Sequence, residues 1–224
     1  MRRGLLFVAT AVAAMTTLAG TAMAVPPPAP DGFQYVSADE HIVMAIVCPG
    51  TGTCTATYAL SQNPGTESVG STLSATPLEY IFHATGSSEP FGTFMADETL
   101  EPEYVLRADE PISGQVTMGG FIGGAEFGAD YTVEVVLTGT RVGPGSSSVA
   151  LGSATVNKLV VTPDSAGRVY PFTFSVPADL DGVKVRDLTL DLYVRGISVL
   201  QNGFVDGEGG SWFDLPYYKL VPAA

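Results

Sequence analysis

The stretch Asp187-Leu188-Thr189-Leu190-Asp191-Leu192-Tyr193-Val194-Arg195 restricts the fold more than any other part of the chain. Leu188, Leu190, Leu192 and Val194 fall on one side; Asp187, Thr189, Asp191, Tyr193 and Arg195 fall on the other. Successive side chains of a strand point to opposite faces, so this pattern predicts a β-strand with one dry face and one wet face. A helix would scatter the leucines around its circumference. A strand of this kind needs a second layer to cover its leucines, and a packed β-sandwich supplies one.

Other strand-like runs follow the same logic. Residues 42–47 are continuously apolar, which suits a strand covered on both sides. Alternation recurs over residues 55–60, 78–84, 131–138 and 172–176, and strands are also expected at 112–118, 149–161 and 212–216. Between them lie turn signals: Gly143-Pro144-Gly145, Asp179-Leu180-Asp181-Gly182 and a long Ser/Thr/Gly-rich loop at 61–77. The glycine pairs Gly119-Gly120 and Gly123-Gly124 suggest bulges or a tight bend. Residues 97–110 are dense in acids, and Pro102 and Pro111 argue against a helix there. No sustained helical period appears after residue 24. The expected class is therefore all-β, an antiparallel jelly-roll-like β-sandwich.

The N-terminus reads as an address. Arg2 and Arg3 precede an apolar run at 5–20, and Ala22-Met23-Ala24 gives a small-x-small cleavage signal. That run is shorter than the roughly 20 residues a membrane span prefers. The expectation is a signal peptide at 1–24, a proline-rich spacer at 25–31 and one sandwich domain at 32–220, with no membrane span after cleavage and a secreted, extracellular location. Cys48 and Cys54 enclose Pro49-Gly50-Thr51-Gly52-Thr53, and an even, closely spaced pair in an exported chain points to a disulfide. A loop so small contributes about 2 kcal/mol, enough to staple a corner but not to define a fold. The formal charge of −13 repels phosphate backbones and anionic membranes, so nucleic acid is not an expected partner. Sparse lysine with abundant alanine, glycine and valine suggests a bacterial source of high GC content.

The succession Ile112-Ser113-Gly114-Gln115-Val116, Phe172-Thr173-Phe174-Ser175-Val176-Pro177, Leu188-Thr189-Leu190 and Gly210-Ser211-Trp212-Phe213-Asp214-Leu215-Pro216 resembles the jelly-roll domains of the galactose-binding-like kind. The resemblance lies in strand rhythm and turn placement across residues 112–216. It implies a module that accompanies secreted enzymes, binding carbohydrate or serving a structural role.

Motifs for catalysis are missing. The chain has no Gly-x-Ser-x-Gly elbow, no His-Glu-x-x-His and no phosphate-binding glycine loop. Of its two histidines, His83 falls on the polar face of its strand, where a surface histidine is the ordinary occupant. Paired carboxylates of the glycosidase type arise by accident in a chain with 23 acids. Asp179 and Asp181, and again Asp206 and Glu208, set carboxylates beside glycines as calcium loops do, although neither stretch completes an EF-hand. A structural calcium ion is the one cofactor these pairs suggest. Sugar recognition needs flat aromatic faces beside polar groups, and Trp212, Tyr193, Tyr217 and Tyr218 are the aromatic candidates. The expected role is a non-catalytic extracellular or cell-surface module whose partner is carbohydrate or another surface protein. The competing expectations are a polysaccharide hydrolase, or an accessory domain of one, and a subunit that self-associates through its sheet or its aromatic C-terminal segment.

Overall fold

In a computed structural model of the chain, the described residues are 26–47, 57–62, 80–81, 90, 92–121, 131–159, 168–195, 202–205 and 210–223. They form twelve strands and one turn of 3-10 helix at Ala178–Leu180. The strands are β1 (Phe33–Val47), β2 (Thr57–Ser61), β3 (Tyr80–Ile81), β4 (Gly92–Ala96), β5 (Tyr104–Leu106) and β6 (Pro111–Phe121), then β7 (Tyr131–Arg141), β8 (Ser148–Leu159), β9 (Arg168–Ser175), β10 (Lys184–Arg195), β11 (Asn202–Val205) and β12 (Trp212–Pro222). No helix among the described residues is long and apolar enough to cross a membrane.

The all-β class is observed, but the hydrogen bonds do not draw the expected jelly-roll sandwich. Six strands close on themselves: β12 pairs β1, β1 pairs β2, β2 pairs β4, β4 pairs β10, β10 pairs β5, and β5 returns to β12. One of these links, β2 to β4, is parallel, so the sheet is mixed rather than purely antiparallel. Closure hinges on β5, three residues long, which bridges β10 and β12. A closed ring leaves no strand edge exposed along that circuit, which is how barrels avoid edge-to-edge association.

Two wings extend from the ring. β6, β9, β11 and β3 follow from β12; β7 and β8 follow from β10. The wings face one another, and Phe174 of β9 packs against Gly152 of β8. Ile42, Leu60, Phe94, Leu190, Phe213 and Leu215 are fully buried, and one apolar core runs from the ring into the space between the wings. Each such side chain removed from water contributes roughly 1.5–3 kcal/mol.

Strand β10 shows how alternation and its exceptions are handled. Leu188, Leu190 and Leu192 all point inward, at 1%, 0% and 0% exposure. Val185 also points inward, although it lies an odd number of residues from Leu188. A bulge between Arg186 and Thr189, with Asp187 at φ 50°, absorbs the extra residue.

Strand β12 is longer than the sequence suggests, because Pro216 does not end it. Pro216 lies between the stretch that pairs β6 (212–214) and the stretch that pairs β5 (217–218), so its missing N–H falls in a gap between two partners. Beside it, the nearly buried Arg107 side chain lies 5.7 Å from the Tyr218 ring centroid and is clamped by Asp109 (3.1 Å) and Glu110 (2.8 Å). Burial opposes its charge, but the two carboxylates outweigh burial and hold its pKa above the ordinary arginine value.

Candidate functional site

The best-defined polar surface is the outer face of β1, β12, β6 and β9. It starts at the corner Gly210-Ser211, where the chain enters β12. Ser211 is fully buried: its carbonyl accepts from Met44 N (2.9 Å), and its hydroxyl accepts from Thr117 N (2.9 Å). The Gly210 carbonyl accepts from Gln115 Nε2 (3.1 Å) and Thr117 Oγ1 (2.6 Å). Four hydrogen bonds from two strands thus fix the residue that follows, Trp212. A buried polar corner of this kind is rigid when every group is satisfied.

Trp212 is partly exposed, and its ring lies 4.8 Å from that of His41, tilted by 42°. His41 and Asp214 sit directly opposite each other on β1 and β12, with His41 Nδ1 2.7 Å from Asp214 Oδ1 and both side chains about half exposed. The ladder extends this row to Ser113 on β6 and Thr173 on β9, whose hydroxyls are 3.3 Å apart. The adjacent row runs Trp212, Gln115, Pro171. One indole, one imidazole, a carboxylate, an amide and two hydroxyls therefore share one sheet face.

The order across the row bears on chemistry. A serine nucleophile needs the histidine between itself and the carboxylate. Here Asp214 lies between His41 and Ser113, which sit two strand spacings apart, about 10 Å. Ser113 meets Thr173 instead. The arrangement offers hydrogen bonding and an aromatic face, not a proton relay to a hydroxyl.

The other aromatic candidates fall elsewhere. Tyr217 is buried inside the ring, edge-on to Tyr104 at 5.3 Å, and Tyr218 is buried on the outside beneath Arg107. Both serve packing, because β12 continues past Pro216 and carries them into contact with β5. Tyr193 is partly exposed on the outer face of β10 opposite Glu134, separate from Trp212. The structure brings none of the three to the indole.

Among the candidate metal ligands, Asp181 Oδ1 accepts from Ala108 N at 2.9 Å and so ties the turn before β10 to the end of β5. Asp179 is exposed in the first turn of the 3-10 segment. Among the described residues no three His, Cys, Asp or Glu side chains are grouped as a metal site would need. Asp206 and Glu208, the cysteines Cys48 and Cys54, and His83 lie outside the described residues, as does the proposed signal peptide.

Sequence reasoning missed His41, Asp214 and Gln115 as neighbours of Trp212, though part of the signal was present. Trp212 and Asp214 are two apart in a strand and must share a face. It also missed Glu40. In Asp39-Glu40-His41-Ile42, alternation sends Glu40 inward with Ile42 if His41 points out, and Glu40 is indeed 3% exposed. Gln62 Nε2 donates to its Oε1, whereas its Oε2 is buried without a hydrogen-bond partner. Burial, helped by the charge of Glu101, raises its pKa above the ordinary glutamate value, against the opposing effects of Tyr104, Gln62 and Lys219. Comparison with known protein families, with curated proteins and with solved structures finds no match to this chain.

Proposed function

We propose that this chain acts as an exported, non-catalytic binding module whose ligand is a neutral carbohydrate, held on the outer face of β1, β12 and β6. The observation that carries this reading is Trp212, a partly exposed indole on a rigid corner, with His41, Asp214 and Gln115 around it. An aromatic face covers the C–H side of a sugar ring, while a carboxylate, an imidazole and an amide can bond its hydroxyls. A formal charge of −13 disfavours anionic ligands and leaves neutral glycans unaffected. The hydrolase reading draws no support from the His41–Asp214–Ser113 row, because its order does not serve a nucleophile.

Titration of the chain with soluble neutral polysaccharides from plant and bacterial cell walls, followed by Trp212 fluorescence, tests this. Trp212 is the chain's one tryptophan, so the signal reports this site alone. A saturating change is expected with at least one glycan. Trp212→Ala should weaken binding at least about tenfold, or about 1.4 kcal/mol, when binding is followed by calorimetry. A flat titration across a broad panel, or full affinity in Trp212→Ala, would overturn the assignment.

A further inference from the structure

At the end of the ring away from the Trp212 corner, a second polar network surrounds Glu40. Residues 97–103 run from β4 to β5 and are stitched to both sides of that end. On the β2 side, Asp97 N donates to the Leu60 carbonyl (3.0 Å) and Gln62 N donates to Thr99 Oγ1 (2.9 Å). Ser61 Oγ lies 2.9 Å from the same Thr99 hydroxyl, which is 2.6 Å from Asp97 Oδ1. On the far side, Glu101 N donates to the Tyr104 hydroxyl (3.2 Å), and Lys219 Nζ pairs with Glu101 Oε1 (3.0 Å). Gln62, a stitch on one side, also donates its side-chain amide to the Glu40 carboxyl, and Tyr104, the stitch on the other side, lies beside that carboxyl.

We propose that residues 97–103 form a strap across this end of the barrel, held shut while Glu40 carries a proton and loosened when it loses one. The geometry supplies the reason. A neutral carboxyl fits a dry site where one oxygen has no partner; a carboxylate there leaves an uncompensated charge. The groups facing Glu40 are Tyr104 from β5, Glu101 from the strap, and Tyr217 and Lys219 from β12, together with the neutral Gln62 just past the end of β2. Asp39 and His41, its neighbours on β1, occupy the opposite face. Lys219 is engaged with Glu101, so ionised Glu40 meets a carboxylate across the gap rather than a free cation. Opening the strap admits water to Glu40 and relieves that charge.

The sign follows from linkage. A carboxyl whose pKa is raised in the closed state binds its proton more tightly there than in the open state. Closure is therefore firmest below the ordinary glutamate pKa and weakens as pH rises through the raised value. Hydrogen exchange of the 97–104 amides, read by mass spectrometry from about pH 5 to about pH 8 and corrected for intrinsic rates, reports the opening directly. Protection is expected to fall by up to about tenfold for each pK unit by which Glu40 is raised. In Glu40→Gln, which keeps the shape of the neutral acid, protection should stay at its low-pH level throughout. Glu101→Gln leaves Glu40 in place and should shrink the change. Carbon-13 NMR of the Glu40 carboxyl in the unmutated chain should give a midpoint that coincides with the loss of protection. Unchanged protection across the range, the same fall in Glu40→Gln, or a carboxyl midpoint that does not coincide would each overturn the proposal.

Discussion

Replacing Gly114 with alanine is expected to lower the free energy of unfolding by about 3 kcal/mol, at the upper end of what overpacking costs in a core. A methyl group at this position in β6 would lie 2.3 Å from the Trp212 carbonyl oxygen, 2.7 Å from Phe213 Cβ and 2.8 Å from Phe172 Cζ. The phenyl ring of Phe172 has room to turn only if the core yields, and the carbonyl belongs to the backbone of the paired strand. The strands must therefore separate or slide, and Trp212 moves with them. Urea unfolding followed by far-UV circular dichroism gives the midpoint, and binding by the Trp212 face should weaken in the same variant. Gly145→Ala is the control: its site has φ 76° and open space around the new carbon. It should cost only the strain of a left-handed residue, about 1 kcal/mol. Equal losses at the two positions would mean that β6 and β12 do not approach as described.

Truncating Leu190 to alanine is the second large expected loss, about 3–4 kcal/mol. Leu190 is fully buried and sits opposite Phe94 on β4 and Leu137 on β7, at the junction of the ring and one wing. These cross-strand neighbours belong to two different strands, so the cavity cannot collapse by moving either one alone. Met95, one residue along the same β10–β4 pairing on the outer face, is 62% exposed, and its alanine variant should change stability by less than about 0.5 kcal/mol. Thermal unfolding of both variants checks the contrast. A domain is stable by only about 5–15 kcal/mol, so the first variant removes a large share and the second removes almost none.

The faces of the strands were legible in the sequence; the way the strands join was not. Alternation placed Leu188, Leu190 and Leu192 inside correctly, because each residue's side depends only on its parity within a strand. The ring depends on β5, and Tyr104-Val105-Leu106 is too short and too closely set among acids and prolines to show a period. Parallel pairing of β2 with β4 joins residues that no local pattern connects. Pro216 looked like a stop because its effect depends on whether a partner needs its N–H, and that is decided by β5 and β6.

The same division runs through the candidate site. Trp212 could be named from its chemistry, since an indole at a strand end beside polar residues is visible in one dimension. His41 could not be assigned to it, because 171 positions separate the two residues and only the β1–β12 register brings them together. Tyr217 and Tyr218 had the right chemistry and the wrong surroundings: one faces Tyr104 inside the ring, and the other lies under Arg107. Glu40 was decided by the neighbours that alternation forced upon it.

The most direct test of the proposed role is a two-dimensional 1H–15N NMR titration of the chain with the glycan that gives the strongest fluorescence response. The Trp212 indole N–H, the His41 and Asp214 amides and the Gln115 side-chain amide should shift together and saturate at one dissociation constant, while the amides around Tyr193 and those of residues 97–103 stay in place. Saturable shifts confined to other surfaces, or no shift at the indole, would contradict the claim that this face binds carbohydrate.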